Sequence, residues 1–181
     1  MLQLLLFIHI LSVCGLFTGI GIELACLMRA HRATNYVEAR AALCNAPVVG
    51  PLMGVSSLLL VVAGIWMVLG FGFGWQPWVL TAVVVTVALM ILGPAVTGRR
   101  MEAMHAACGA GEGALSPEIH AARCDKALNF LVFFTLFALI AILYLMTNKP
   151  GWTGSIAAAV VALAAAAAVT GMVVSKSRQA V

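Results

Sequence analysis

Apolar residues run through this chain in five stretches, and charged residues fall between those stretches rather than inside them, with Glu23 the exception. A helix that crosses a bilayer needs about 20 predominantly apolar residues. The stretches at about 2–27, 47–71, 77–97, 127–147 and 152–174 all reach that length. The pattern therefore predicts an all-α fold: a polytopic transmembrane helical bundle of five spans, forming one membrane domain over residues 1–181. No alternating strand pattern, useful sequence repeat or second domain is present.

The breaks between the spans carry their own chemistry. Span two ends in Gly70-Phe71-Gly72-Phe73-Gly74-Trp75, an uncharged aromatic tip suited to a bilayer interface. Span three opens at Pro77, since proline is tolerated at a helix start. Gly93-Pro94 lies within it and predicts a kink, because proline removes a backbone bond and crowds the preceding turn. Met101 to Cys108 can continue that helix beyond the bilayer. Gly109 to Gly113 is a flexible break, and Ser116-Pro117-Glu118 reads as a helix start with Ser as N-cap. Asn148-Lys149-Pro150-Gly151 is a tight turn before span five. The N-terminus lacks the basic n-region of a removable signal, so span one is expected to be retained.

Threading the chain through five spans puts nine of its ten Lys and Arg residues on one side. Arg29, Arg32 and Arg40 fall in the loop at about 29–46. Arg99, Arg100, Arg123 and Lys126 fall in the loop at about 98–126. Lys176 and Arg178 follow span five, and Lys149 stands alone opposite. Cationic loops stay in the cytoplasm, so the N-terminus is expected outside and the C-terminus inside, in a bacterial cytoplasmic membrane. The composition, 64% hydrophobic and 9% charged, lies far from the about 25% charged residues of a soluble domain. Lipid must be the second solvent. The net charge of +4 sets topology first and meets anionic headgroups second. Nucleic acid is not an expected partner, because no basic patch is interleaved with aromatics. Cys14 and Cys26 lie in span one, and Cys44, Cys108 and Cys124 lie in or near the reducing side, so no disulfide framework is expected.

Span one carries the candidate chemistry. At 100° per residue, His9, Ser12, Gly15, Leu16, Gly19, Glu23 and Cys26 share an arc of about 120°, and bulky apolar residues cover the opposite side. A lipid-facing His or Glu is costly, so the polar arc should turn inward. His9, about 10 Å below the outer surface at 1.5 Å per residue, is a candidate axial heme ligand, copper ligand or proton-relay group. The plainer alternative is a neutral histidine bonded to a neighbouring helix. Met67 in span two is expected at similar depth, where it could complete a His/Met pair. Glu23 either pairs with Arg99, Arg100, Arg123 or Lys126, or is a carboxylate that takes protons or cations from a cavity. His105-x-x-Cys108 and His120-x-x-x-Cys124 place His and Cys on shared helix faces. If the two helix ends pack together, all four could form a tetrahedral metal site. The alternative is two ordinary interfacial helix ends.

Other features predict packing. Gly15 and Gly19 in span one, and Gly50 and Gly54 in span two, have the four-residue spacing that lets helix backbones approach. Span five is alanine-rich and could pack inside the bundle, against a second copy in a homo-oligomer, or against another membrane protein. Ser56 and Ser57 have no His or Asp partner nearby. The Gly70–Gly74 glycines lack the strand–turn–helix setting of a phosphate loop. Neither hydrolase nor nucleotide chemistry is expected, and an enzymatic role is the less expected one.

Ile8-His9-Ile10-Leu11, the small-residue face after it, Ala63-Gly64-Ile65-Trp66 and Gln76-Pro77-Trp78 together resemble a family of predicted integral membrane proteins, a domain of unknown function grouped in the CopD-like superfamily. The resemblance covers most of the chain, through hydropathy and those few residues. Relatives in the wider group include a copper-resistance membrane protein and a membrane-bound, heme-binding protoporphyrinogen oxidase. The resemblance implies that His9 matches their first-helix histidine and that heme or copper is the cofactor. The chain departs from the heme enzyme in having no second His or Lys ligand within a span. Two functions follow as expectations: a heme- or copper-binding helical bundle around His9, or a small transporter or accessory subunit of a membrane complex using Glu23.

Overall fold

The computed structural model of the protein describes residues 1–72, 74–109 and 111–179, without the side chains of 178 and 179. Phe73 of the aromatic tip, Ala110 of the glycine break and the Arg178 side chain lie outside the described residues. Eight α-helices and one π-helical segment make up the described chain: α1 (Leu2–Arg32), α2 (Tyr36–Leu43), α3 (Ala46–Gly70), α4 (Pro77–Leu92), the π-helical Gly93–Gly98, α5 (Arg99–Gly109), α6 (Pro117–Arg123), α7 (Lys126–Asn148) and α8 (Trp152–Gln179). Among the described residues no strand is present, and five helical runs are long and apolar enough to cross a membrane. Large apolar side chains stand exposed along those runs, including Phe7, Leu58, Val62, Leu69, Ile91, Ile140 and Val161. An apolar surface of that extent is stable against lipid and not against water.

Local chemistry sets the helix ends. Asn35 caps α2 by accepting from the Glu38 N–H at 2.9 Å. Glu38 in turn accepts from the Thr34 N–H at 2.8 Å and its hydroxyl at 3.0 Å, which holds this loop carboxyl below the usual carboxylate range. Ser116 caps α6, and Asp125 caps α7 by accepting from the Leu128 N–H at 2.7 Å. Lys149 ends α7 in the left-handed region, φ 50°, and its N–H donates to the Leu145 carbonyl at 2.9 Å. The kink expected at Gly93-Pro94 takes the form of the π-helical segment. The Arg99 N–H reaches back five residues to the Pro94 carbonyl, and that wider turn accommodates the proline ring and its missing donor.

Helices α1 and α3 pack along their lengths, as do α7 and α8, with α7 between α1 and α4. The α7 run is the most enclosed, with 44% of its most apolar stretch buried against 17–22% in the other four. The larger core lies toward the arginine-rich end. There Leu16, Ile20 and Leu27 of α1 meet Leu43, Met101, Met104, Ile119, Leu128 and Val132 beneath α2, α5 and α6. A smaller core of Ala82, Ile142 and Leu145, with Trp78 packed on it, fills the far end. All four tryptophans (Trp66, Trp75, Trp78 and Trp152) sit toward that far end, opposite the arginines.

Small residues bring α1 and α3 together, but from one side. Side chains added at Gly15 and Gly19 would run into Ser56 and Met53 respectively. Gly50 and Gly54, expected to form the matching surface, face open space instead. The buried face of α3 is Val49, Ser56, Ser57, Leu60 and Ala63. Glycines of α1 therefore receive side chains of α3, and not glycine against glycine.

Candidate functional site: a polar seam between α1 and α3

The inward face of α1 carries polar groups at His9, Ser12 and Glu23, with Leu16, Gly19 and Ile20 between Ser12 and Glu23. Ser12 and Glu23 are buried, and so are Ser56 and Ser57 on the facing side of α3. From His9 to Glu23 is 14 residues, about 21 Å at 1.5 Å per residue, most of a hydrocarbon core of about 30 Å. Two of the serines are locally satisfied: the Ser12 hydroxyl donates to the Ile8 carbonyl at 2.7 Å, and the Ser57 hydroxyl to the Gly54 carbonyl at 3.0 Å. They line the seam with oxygen lone pairs.

Glu23 is not satisfied in that way, and the His9 ring has only a backbone contact at Leu60 of α3. The His9 ring lies over Gly64, where an added methyl would stand 3.4 Å from Cε1. Among the described residues its buried Nδ1 has no hydrogen-bond partner. Met67 is half-buried on α3, one turn beyond Gly64. Glu23, 8% exposed, has no ion-pair partner among the described residues. The salt bridge, one of its two expected roles, is absent among the described residues: two candidate cations are engaged elsewhere and two stand exposed. Arg100 pairs with Asp125. Arg123 donates to the Ala30 and Ala33 carbonyls, at 3.1 and 2.8 Å, at the end of α1. Arg99 and Lys126 are exposed.

The His105, Cys108, His120 and Cys124 cluster takes the following form. Cys108 is fully buried in the apolar core, and its carbonyl accepts from Arg40. His120 Nδ1 is taken by Arg123. Cys124 ends α6, and His105 is half-buried on α5. Among the described residues no group of three or more His, Cys, Asp or Glu side chains could hold a metal ion.

A second polar cluster was not singled out from the sequence. His31 at the end of α1, Asn129 in α7, Arg123 and Ser177 of α8 are joined by side-chain hydrogen bonds at the arginine-rich end. The available signal was Asn129, an amide just inside a span.

Five apolar spanning helices with polar residues turned inward define the class: an integral membrane protein that crosses the bilayer several times. Within it, the chain belongs to the family described as predicted integral membrane protein, DUF2269, whose model matches residues 3–150 and so ends before α8. No curated protein and no solved structure matches the chain.

Proposed function

We propose that the protein handles protons or a small cation in the membrane, as a small transporter or the accessory subunit of a membrane complex, with the Glu23 carboxyl as its exchanging group. One observation carries this reading: Glu23 is buried without a counter-charge among the described residues. A buried carboxylate left unpaired costs several kcal/mol, so such a group either takes up a proton or holds a cation. Intramembrane acids of this kind mark ion pathways; the other polar groups of this seam, Ser12, His9 and Ser56 (opposite Gly15), lie further along α1 beyond Gly19 and Met53. The reading places the loops at 29–46 and 98–126 in the cytoplasm of a bacterial cell, supported by the nine Lys and Arg residues there and the tryptophans opposite.

The experiment is proton flux into liposomes holding a pH-sensitive dye, driven by a potassium diffusion potential. The reading expects flux above that of empty liposomes in the wild type and its loss in Glu23→Gln. Equal flux in both proteins would overturn it.

The CopD-like resemblance suggests heme or copper on His9. The residues present do not fit a heme. Gly15 and Gly19 rest directly on Ser56 and Met53, and the His9 ring lies on Gly64, so α1 and α3 leave no slot for a macrocycle. The unpartnered Nδ1 of His9 favours a narrower second reading, in which one copper ion is held by His9, with Met67 the available soft donor on α3. Copper titration of the purified protein tests it. Binding is expected at one site and lost in His9→Ala, and equal binding by that variant would remove the reading.

A further inference from the structure

The packing of α1 on α3 has a readable register. The helices run antiparallel, with His9 over Gly64, Gly15 against Ser56 and Gly19 against Met53. Each step along α1 toward its arginine-rich end moves the contact back along α3 by a similar number of residues. Carried past Gly19 by about two helical turns, that register brings Glu23 to Val49, which is buried, and Cys26 to the start of α3 at Asn45 and Ala46. At that point the Asn45 backbone N–H faces the Cys26 sulfur, and Cys44, Glu23 and Arg29 are the ionisable groups around it. Ala46 packs on the apolar core that contains Cys26.

Two thiols thus meet where α1 passes the junction of α2 and α3. Cys44 ends α2 and is exposed. Cys26 is 3% exposed and lies behind it. The Asn45 nitrogen that faces Cys26 is separated from the Cys44 Cα by the Cys44 carbonyl carbon alone. The second thiol is therefore within reach of disulfide spacing, about 4.4–6.8 Å between Cα atoms. Among the described residues no third His, Cys, Asp or Glu joins them in a metal site, and the chemistry that two sulfurs perform by themselves is oxidation. An accessible cysteine with a second one beside it to resolve the product is the arrangement of a redox-sensing site.

We propose that Cys26 and Cys44 are a thiol pair oxidised by hydroperoxides. The exposed Cys44 sulfur attacks the hydroperoxide ROOH. An S–O bond forms, the O–O bond breaks, and ROH leaves with the Cys44 proton, so Cys44 becomes a sulfenic acid. The Cys26 sulfur then attacks that sulfur. The S–S bond forms, the S–O bond breaks, and the hydroxyl leaves as water with the Cys26 proton. Each sulfur has given up one electron and the peroxide has taken both, and a thiol reductant reverses the change. Arg29 and the Asn45 N–H stand at Cys26, where they favour the negative sulfur that the second step needs. The bond ties the end of α1 to the head of α3, with α2 enclosed between them. Disulfides on a reducing side are of this transient kind. The pair acts whether or not Glu23 exchanges protons.

The intact protein in nanodiscs, fully reduced, is exposed to hydrogen peroxide, then unfolded and labelled with N-ethylmaleimide for mass spectrometry. The wild type is expected to lose two of its five maleimide adducts, to yield a peptide pair joined through Cys26 and Cys44, and to recover every adduct with dithiothreitol. In Cys26→Ala, Cys44 is expected to stop as a sulfenic acid that dimedone traps. In Cys44→Ser, Cys26 is expected to stay reduced, because peroxide does not reach the sealed thiol directly. Peroxide that leaves all wild-type thiols free would overturn the proposal. So would a wild-type Cys44 that is oxidised without joining Cys26, or a disulfide from either residue to another cysteine or to a second molecule.

Discussion

Two side chains of opposite charge type, Glu23 and Arg123, are buried in this protein, and they do not meet. Arg123 has no carboxylate either, but the last carbonyls of α1, where the helix dipole is negative, accept from its Nη1, leaving its buried Nε without a partner among the described residues. Glu23 has no such compensation, and that difference singles it out. Part of this was legible in the sequence: the inward arc of His9, Ser12, Gly15, Gly19 and Glu23 follows from helical period and the cost of polar groups in lipid. The missing salt bridge was not legible. It depends on where Arg100 and Arg123 find partners, and those partners, Asp125 and the carbonyls of α1, are set by tertiary packing. Two predictions belong at this scale. Gly15→Leu should destabilise the α1–α3 pair by about 1–3 kcal/mol, the usual cost of overpacking, while Gly54→Leu, which faces open space, should change stability by under about 0.5 kcal/mol. Denaturant titration in mixed micelles compares the two. Asn129→Leu strips three hydrogen bonds from a sealed site and should cost about 1–3 kcal/mol in the same assay.

At the scale of elements, the spans and their punctuation were readable because each rests on local rules: apolar length, Ser116 as a cap, a turn at Asn148–Gly151, a proline where the helix must change. The facing side of α3 was not. In a nearly uniform apolar helix the sequence has little contrast to mark the buried face, and the glycine spacing pointed to Gly50 and Gly54 when Val49, Ser56, Ser57 and Leu60 are the residues that turn inward. Helix α2 was missed as well, although Asn35-x-x-Glu38 is a cap signal, because its few residues sit in a stretch read as loop. The π-helical Gly93–Gly98 offers a test of its own. A π-turn carries more residues than an α-turn, so deleting the exposed Ala95 should let this segment close as α-helix while α4 and α5 keep their faces. Circular dichroism and thermal melting should show a folded protein within about 1 kcal/mol of wild type. Deleting Val84, inside the regular part of α4, should abolish folded protein by rotating every later contact.

For the whole molecule, the arginine-rich end and the tryptophan end define the axis along which the seam runs. Cys44 is exposed at the arginine-rich end, so an impermeant maleimide should leave it unmodified in intact spheroplasts and label it after lysis. Labelling before lysis would invert the protein in the membrane. The His31–Ser177 contact joins residues 146 positions apart, beyond the reach of local pattern. It ties α8, which lies outside the matched family segment, to the helix that carries the seam.

The most direct measurement is infrared difference spectroscopy of the protein in nanodiscs, stepped between acidic and alkaline medium. The account predicts a carboxyl C=O band that comes and goes with the step and is missing from Glu23→Gln. Identical difference spectra for the wild type and that variant would contradict it, leaving Glu23 as a passive part of the helix packing.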